Sequence, residues 1–255
     1  MKRILSILLL LSLLVCAFAS CDTLTAASAI AKAEKVLEEK PYTVTMSMDF
    51  DCEDKNLNTV FDALSLEFPV TVDGENLHMD MTTEVMGFTT GVTMTVVDDV
   101  LYSNTTVLNQ SIKLKATLSA EDYQAFMKEN SSEMPVTADN FESLTMETVD
   151  GKQVITCSGI TTEGLTAMND LLSDSLTALG AEAAVGDLSL AITVADGKYE
   201  SMALTAAYSV TVKGETHTVS LTMNAKYAYE GIQPITVPAD ADSYKDVSFD
   251  EIVGE

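Results

Sequence analysis

From Tyr42 onward the hydrophobic period of the chain is two, and it stays two for most of the length. The stretch "YTVTMSMDFDC", residues 42 to 52, sets the pattern. Tyr42, Val44, Met46, Met48, Phe50 and Cys52 share one phase; Thr43, Thr45, Ser47, Asp49 and Asp51 fill the other. Successive side chains on a strand point to opposite faces, so this alternation describes a strand with one dry and one wet side. Similar rows recur at Leu64, Leu66, Phe68, Val70, Val72, then at Leu77, Met79, Met81, and then at Val92, Met94, Val96. "VLYSN" and "SIKLKATL" follow, the latter with Ile112, Leu114, Ala116 and Leu118 in phase. Two strands are expected near 142–149 and 153–160. Three more carry Leu188, Leu190, Ile192, Val194; Met202, Leu204, Ala206, Tyr208, Val210; and Val219, Leu221, Met223, Ala225, Tyr227.

The punctuation between these rows makes neighbouring strands antiparallel. Asp73-Gly74, Asp150-Gly151 and Asp196-Gly197 are Asp-Gly pairs between apolar alternations, the strongest short-range hairpin signal, and Lys213-Gly214 adds another. Asp98-Asp99 also falls in a turn. Pro69 marks its strand as an edge or the site of a bulge. Three segments have helical period instead. Residues 24–40 place Ala26, Ile30, Ala33 and Leu37 on one stripe, with Thr23 or Thr25 as cap and Pro41 as stop. "AEDYQAFMKEN" follows the N-cap candidate Ser119. "TEGLTAMNDLLSDSLTALG" aligns Leu165, Met168, Leu172, Leu176 and Leu179 and ends at Gly180.

About eleven strands and three helices do not balance. A helix is about 10 Å wide and strands stand about 4.8 Å apart, so three helices cover about six strands. A twisted sheet of this size curls. The expected fold is mainly β with helices (α+β): one large curled antiparallel sheet, an unclosed half-barrel with helices on its concave face. An apolar hollow is expected where the helices do not reach. Its expected lining is Met46, Met48, Phe50, Leu66, Phe68, Val70, Met79, Met81, Val92, Met94, Leu190, Ile192, Leu204, Leu221 and Met223. Methionine suits a wall that meets variable apolar shapes, although a single methionine in such a row is more often core.

The start of the chain, "MKRILSILLLLSLLVCAFASCDT", is a leader rather than part of the fold. Lys2 and Arg3 precede an apolar run over 4–15 that is too short to span a bilayer, and small residues follow at Ala17, Ala19 and Ser20. "FAS-C" resembles the lipobox, in which the cysteine after a small residue is lipidated and becomes the new N-terminus. Cys21 fits this role better than Cys16, which follows the bulky Val15. The expected organisation is a signal peptide over 1–20 and one domain over 21–255 with a short acidic C-terminal tail. A diacyl (palmitate-type) anchor would hold it at the extracytoplasmic face of the cell membrane, without a spanning helix.

The formal net charge of −25 becomes −27 once Lys2 and Arg3 leave with the leader. No arginine remains, and neither does the basic footprint that nucleic acid requires. Anionic lipid would repel this body, so the anchor supplies the attachment. A monomer is expected. Cys52 and Cys157 both fall on apolar phases; they could form one disulfide in an oxidising exterior or stay as two buried thiols. The two histidines, His78 and His217, have no nucleophile or acid at catalytic spacing. "DFDCEDKNLN" at 49–58 lacks the central Gly and closing Glu of a calcium loop. No metal, cofactor or catalytic residue is expected.

An anchoring cysteine, a first helix running into "KPYTVTMSMDF", a long antiparallel run broken by two further helices, and the ending "PITVPADADSY" resemble the LolA/LppX-type lipoprotein fold. They resemble in particular the uncharacterised LolA-like lipoproteins of Gram-positive bacteria, over about residues 24–247. The resemblance implies an unclosed β-barrel with helices across its mouth that holds acyl chains or a lipidated protein terminus. The lipoprotein carriers are soluble and use an interior arginine. This chain has an anchor signal and no such arginine, so lipid binding at the membrane is expected rather than shuttling. The other expectation is an acidic surface scaffold with a filled core.

Overall fold

The computed structural model describes residues 25–54, 58, 66–85, 88–130, 137–177, 182–212 and 215–253. The leader, Cys21, Leu64, Gly180 and Lys213-Gly214 lie outside the described residues, as do the side chains of Leu172, Leu176 and Leu179.

The first helix, α1, spans Ala26–Glu39. Thr25 and Ser28 cap it reciprocally: the Ser28 amide donates to Thr25 Oγ1 at 3.2 Å and the Thr25 amide to Ser28 Oγ at 3.0 Å. Pro41 disfavours helix at Lys40, which is extended. Six strands follow: β1 (Tyr42–Cys52), β2 (Leu66–Asp73), β3 (Asn76–Val85), β4 (Phe88–Val97), β5 (Val100–Val107) and β6 (Gln110–Thr117). Helix α2 (Ala120–Asn130) opens on Ser119, which exchanges bonds with Asp122; those bonds hold the Asp122 carboxyl below its ordinary pKa. A short 3-10 turn at Ala138–Asn140 leads into β7 (Phe141–Val149) and β8 (Lys152–Ile160). Helix α3 (Thr162–Thr177) precedes β9 (Glu182–Ala195), β10 (Lys198–Val212) and β11 (Glu215–Ala228). The chain ends in the two-residue β12 (Lys245–Asp246) and α4 (Phe249–Val253).

The twelve strands among the described residues form one unclosed sheet in the order β12-β6-β5-β4-β3-β2-β1-β11-β10-β9-β8-β7. Two meanders, β1–β6 and β7–β11, therefore meet where β1 pairs with β11 over ten residues, from Thr43–Ala228 to Cys52–Val219. Eleven strands are antiparallel, as the turns required. The twelfth, β12, runs parallel to β6, and no alternation announces a strand of two residues.

Turn chemistry fixes the registers. Asp150-Gly151 and Asp196-Gly197 both have positive φ at both positions, the type I′ condition. Asp98-Asp99 does the same, and so does Leu108-Asn109, where Leu108 takes φ 50°. In the β2–β3 hairpin Asp73 pairs with Asn76, so Gly74-Glu75 form the turn rather than Asp73-Gly74. Pro69 is neither at a sheet edge nor in a bulge; it lies just beyond Val70–Met79, where registered β2–β3 pairing ends, so its missing N–H interrupts no ladder on that side.

One face of the sheet, the inner face, carries the core. Ala29, Ile30 and Ala33 of α1, Phe126 of α2 and Met168 of α3 pack there against Val44, Leu77, Leu101, Ile155, Leu204, Tyr208 and Leu221. α1 lies on β7, β9 and β10, α3 on β9, and α4 against β6. The opposite, outer face carries the Thr- and Asp-rich phase. It is not wholly wet. After Ala228 the chain crosses the outer side of β1–β4 as an extended strap and reaches β6. Tyr244 meets Tyr102 edge-on at 5.4 Å, Lys113 pairs with Asp240, and the Val247 amide donates to the Lys115 carbonyl at 3.0 Å. Phe249 and Ile252 then join the core side. The C-terminal segment thus belongs to the fold rather than forming a free acidic tail.

Candidate ligand-binding surfaces

The inner-face row that begins the chain's alternation divides in two. Met46, Val70, Met79, Leu190, Ile192, Leu204, Leu221 and Met223 are buried and form core. Leu190 and Ile192 among them also border a small hollow beneath α1. Met48, Phe50, Phe68, Met81, Val92 and Met94 are only half-buried, and Leu66 is 44% exposed. These seven occupy adjacent strands, β1 to β4. Register brings them together: Met48 faces Leu66, Met46 faces Phe68, Met79 faces Met94, and Met81 faces Val92.

Three further residues extend this surface and were not among the expected lining. Phe88 pairs with Val85 in the Val92 phase and is 47% exposed. Val107, in the phase of Leu101, is 54% exposed, and Ile112, paired with Thr105, is 61% exposed. Ile112 was visible as an apolar phase in the sequence; its exposure depends on which strands the helices cover. α1, α3 and α4 pack chiefly on β6, β7, β9 and β10, so among the described helices these three leave the end of β1–β6 holding these residues less covered. Gly91, next to Val92 on the opposite phase of β4, takes φ 143°, and a Cβ there would collide with the Met81 carbonyl oxygen. Only glycine permits this close approach.

The helix-covered end holds a small hollow of about 120 Å³ between α1 and β9–β11, lined by Ile30, Leu37, Leu190, Ile192, Tyr199 and Met202 among others. Burial pushes the Tyr199 hydroxyl well above its ordinary pKa, with Glu34 adding to the effect. Ligand sites run from about 300 to 1,000 Å³, so this space is a packing defect in size rather than a binding chamber.

A larger hollow, about 550 Å³, lies on the other side of the sheet, between its outer face and the strap. Thr43, Thr71, His78, Thr93 and Thr95 form its floor; Ile232, Ile235 and Val237 belong to its roof. His78 is therefore on the polar phase, as its position predicts, but beneath the strap rather than simply solvated. Its Nδ1 meets Thr95 Oγ1 at 2.8 Å.

Cys52 and Cys157 are free and buried. Their strands stand four positions apart across β11, β10 and β9, about 19 Å at the usual strand spacing, whereas a disulfide needs Cα atoms within about 7 Å. Desolvation raises the Cys157 thiol to about 11. Among the described residues no group of three His, Cys, Asp or Glu could hold a metal ion, and no helix is long and apolar enough to cross a membrane.

No family model and no curated protein matches the chain. Among solved structures, the ywiB protein from Bacillus subtilis is similar at 8% identity and a TM-score of 0.21, over 74% of this chain and 92% of that one. MucB, solved in complex with MucA(peri), is similar at 6% identity and a TM-score of 0.12, over 82% of this chain and 100% of that one. Likeness at this level carries no argument about fold or function.

Proposed function

We propose that the protein is a membrane-anchored surface lipoprotein that holds one acyl chain, or another elongated hydrophobe, along the open inner face of a LolA/LppX-like half-barrel. The observation that carries this reading is the exposure of Leu66, Phe88, Val107 and Ile112 on the same face as half-buried Met48, Met81 and Met94, the core side of the sheet. Such a surface on a chain of net charge −25 has a reason if something apolar covers it. The lipobox-like "FAS-C" supports lipidation at Cys21, which would keep the body at a bilayer from which such a ligand could come.

The expected affinity is modest. Full burial contributes about 0.8 kcal/mol per methylene, so a chain of about fourteen methylenes covered on one side gains about 6 kcal/mol before the entropic cost of association, and the Kd is no tighter than about 40 µM. The filled core and the small inner hollow favour a second reading, an acidic scaffold that binds no hydrophobe. One experiment separates them. The body is expressed without residues 1–20 and with Cys21→Ser; its organic extract is weighed by mass spectrometry, and a fluorescent fatty acid is titrated. Saturable binding supports the lipid reading. No co-purifying hydrophobe and no saturation would refute it and leave the scaffold.

A further inference from the structure

We propose that the hollow between the outer face and the C-terminal strap is a binding site for a neutral saccharide, separate from the inner apolar surface. The floor is one cross-strand row. Thr43 faces Thr71, Thr71 faces His78, His78 faces Thr95, and Thr95 faces Tyr102, so four polar side chains from β1–β4 lie side by side at strand spacing. Two contacts hold them in place: Thr43 to Thr71 at 2.9 Å and His78 Nδ1 to Thr95 at 2.8 Å. Each hydroxyl can donate and accept, and the bond at Nδ1 leaves Nε2 as the imidazole atom for a ligand. In the adjoining row Asn104, paired with Thr93, has a buried side-chain oxygen without a partner.

The roof is more apolar. Ile232, Pro234, Ile235, Val237 and Pro238 line it together with the polar Gln233 and Thr236, and Tyr244 adds an aromatic ring. A ligand between these walls needs hydroxyls on one side and C–H groups on the other. A pyranose ring has that form, with a hydroxyl rim and apolar faces. No carboxylate, lysine or arginine lines the hollow, so neither an anion nor a cation finds a partner there. The chain's net charge of −25 disfavours anions further. The volume of about 550 Å³ falls within the range of small-molecule sites. The roof is also fixed in place: the Tyr102–Tyr244 contact, the Lys113–Asp240 pair and the β12–β6 pairing hold its far end, and β11 holds the other.

The test uses the Cys21→Ser body with maltose, cellobiose and chitobiose as probes, followed by calorimetry and saturation-transfer NMR. At least one should bind saturably at millimolar concentration. Thr71→Val with Thr95→Val removes two hydroxyls but keeps side-chain shape and strand preference; it should weaken that binding at least tenfold while the chain still folds, with a melting temperature lowered by the two lost hydrogen bonds. His78→Leu, a second variant that spares the threonines, should do the same. Met81→Asp, on the inner face, should leave saccharide binding intact. Absence of saturable binding by all three probes overturns the proposal, and so does binding that persists in both outer-face variants. Neither result bears on fatty-acid binding.

Discussion

Met79 and Met81 provide a control within one strand. Both lie on β3 and on the inner face, two residues apart, but Met79 is 4% exposed and Met81 is half-buried. Met79 stands between Val70 and Met94 in adjacent strands, so truncation leaves a closed cavity. Buried Met→Ala costs about 2–5 kcal/mol, and a domain of this size loses about 2–4 °C per kcal/mol. Met79→Ala should therefore lower the melting temperature by about 4–20 °C. Met81 faces Val92 and is only half-buried against the core; with half the transfer term and no closed cavity, Met81→Ala should cost about 1 kcal/mol, or about 2–4 °C. Met81→Asp keeps its carboxylate at the rim of the open surface and should fold, while fluorescent fatty-acid binding falls at least fivefold. Thermal melts by circular dichroism and the titration are run on the same samples. If Met81→Ala destabilises as much as Met79→Ala, or if Met81→Asp fails to fold, the residue is core and the open surface does not exist.

Other expectations follow from single features. Leu108 sits at φ 50° in a type I′ turn and is 64% exposed, so Leu108→Asn relieves backbone strain without losing packing and should raise the melting temperature by about 1–4 °C. The strap's ion pair should be pH-bounded. Lys113 depresses the Asp240 pKa below 3.8, so that contribution is complete above the ordinary carboxylate value and is lost as pH falls through the folded one; Asp240 raises Lys113 above 10.5, so its contribution is complete below that value and is lost at higher pH. The protection factor of the Val247 amide, with the intrinsic pH dependence of exchange divided out, should accordingly fall in acid in the native chain, and Lys113→Met should remove that fall. Cys52 and Cys157 should react with a thiol reagent only after unfolding, with no change in mobility on reducing gels; reaction of either in the native Cys21→Ser body would contradict their burial.

Much of the sheet was legible because local chemistry wrote it. Asp150-Gly151 and Asp196-Gly197 specify their hairpins without reference to anything distant, and Ser119 and Thr25 mark helix starts by capping chemistry that acts within three residues. Other features depend on what lies across the fold. Met79 and Met81 are indistinguishable in sequence; their difference in burial comes from which strands the helices cover. Leu108 is a residue that no turn rule selects, and the adjacent strand pairing imposes its conformation. The strap was hidden for a related reason. "PITVPAD" has neither helical nor strand period, and its partners are an outer-face row set by five separate strands. Cys52 and Cys157 both read as apolar-phase residues, but the strand order that separates them is a property of the whole sheet.

The seam between β1 and β11 has a kinetic meaning. Thr43 pairs with Ala228, so the first strand of the sheet waits for the last long one. Each meander can form from hairpins whose ends are already neighbours, but the seam closes a loop of nearly the entire chain, and that closure entropy precedes any gain from the pairing. Until then β1 presents a bare edge to any other extended chain nearby. A ribosome or translocation channel delivering this protein from its N-terminus therefore releases β1 long before its mate. The interval between the two is the period in which the polypeptide most needs a chaperone or a dilute environment.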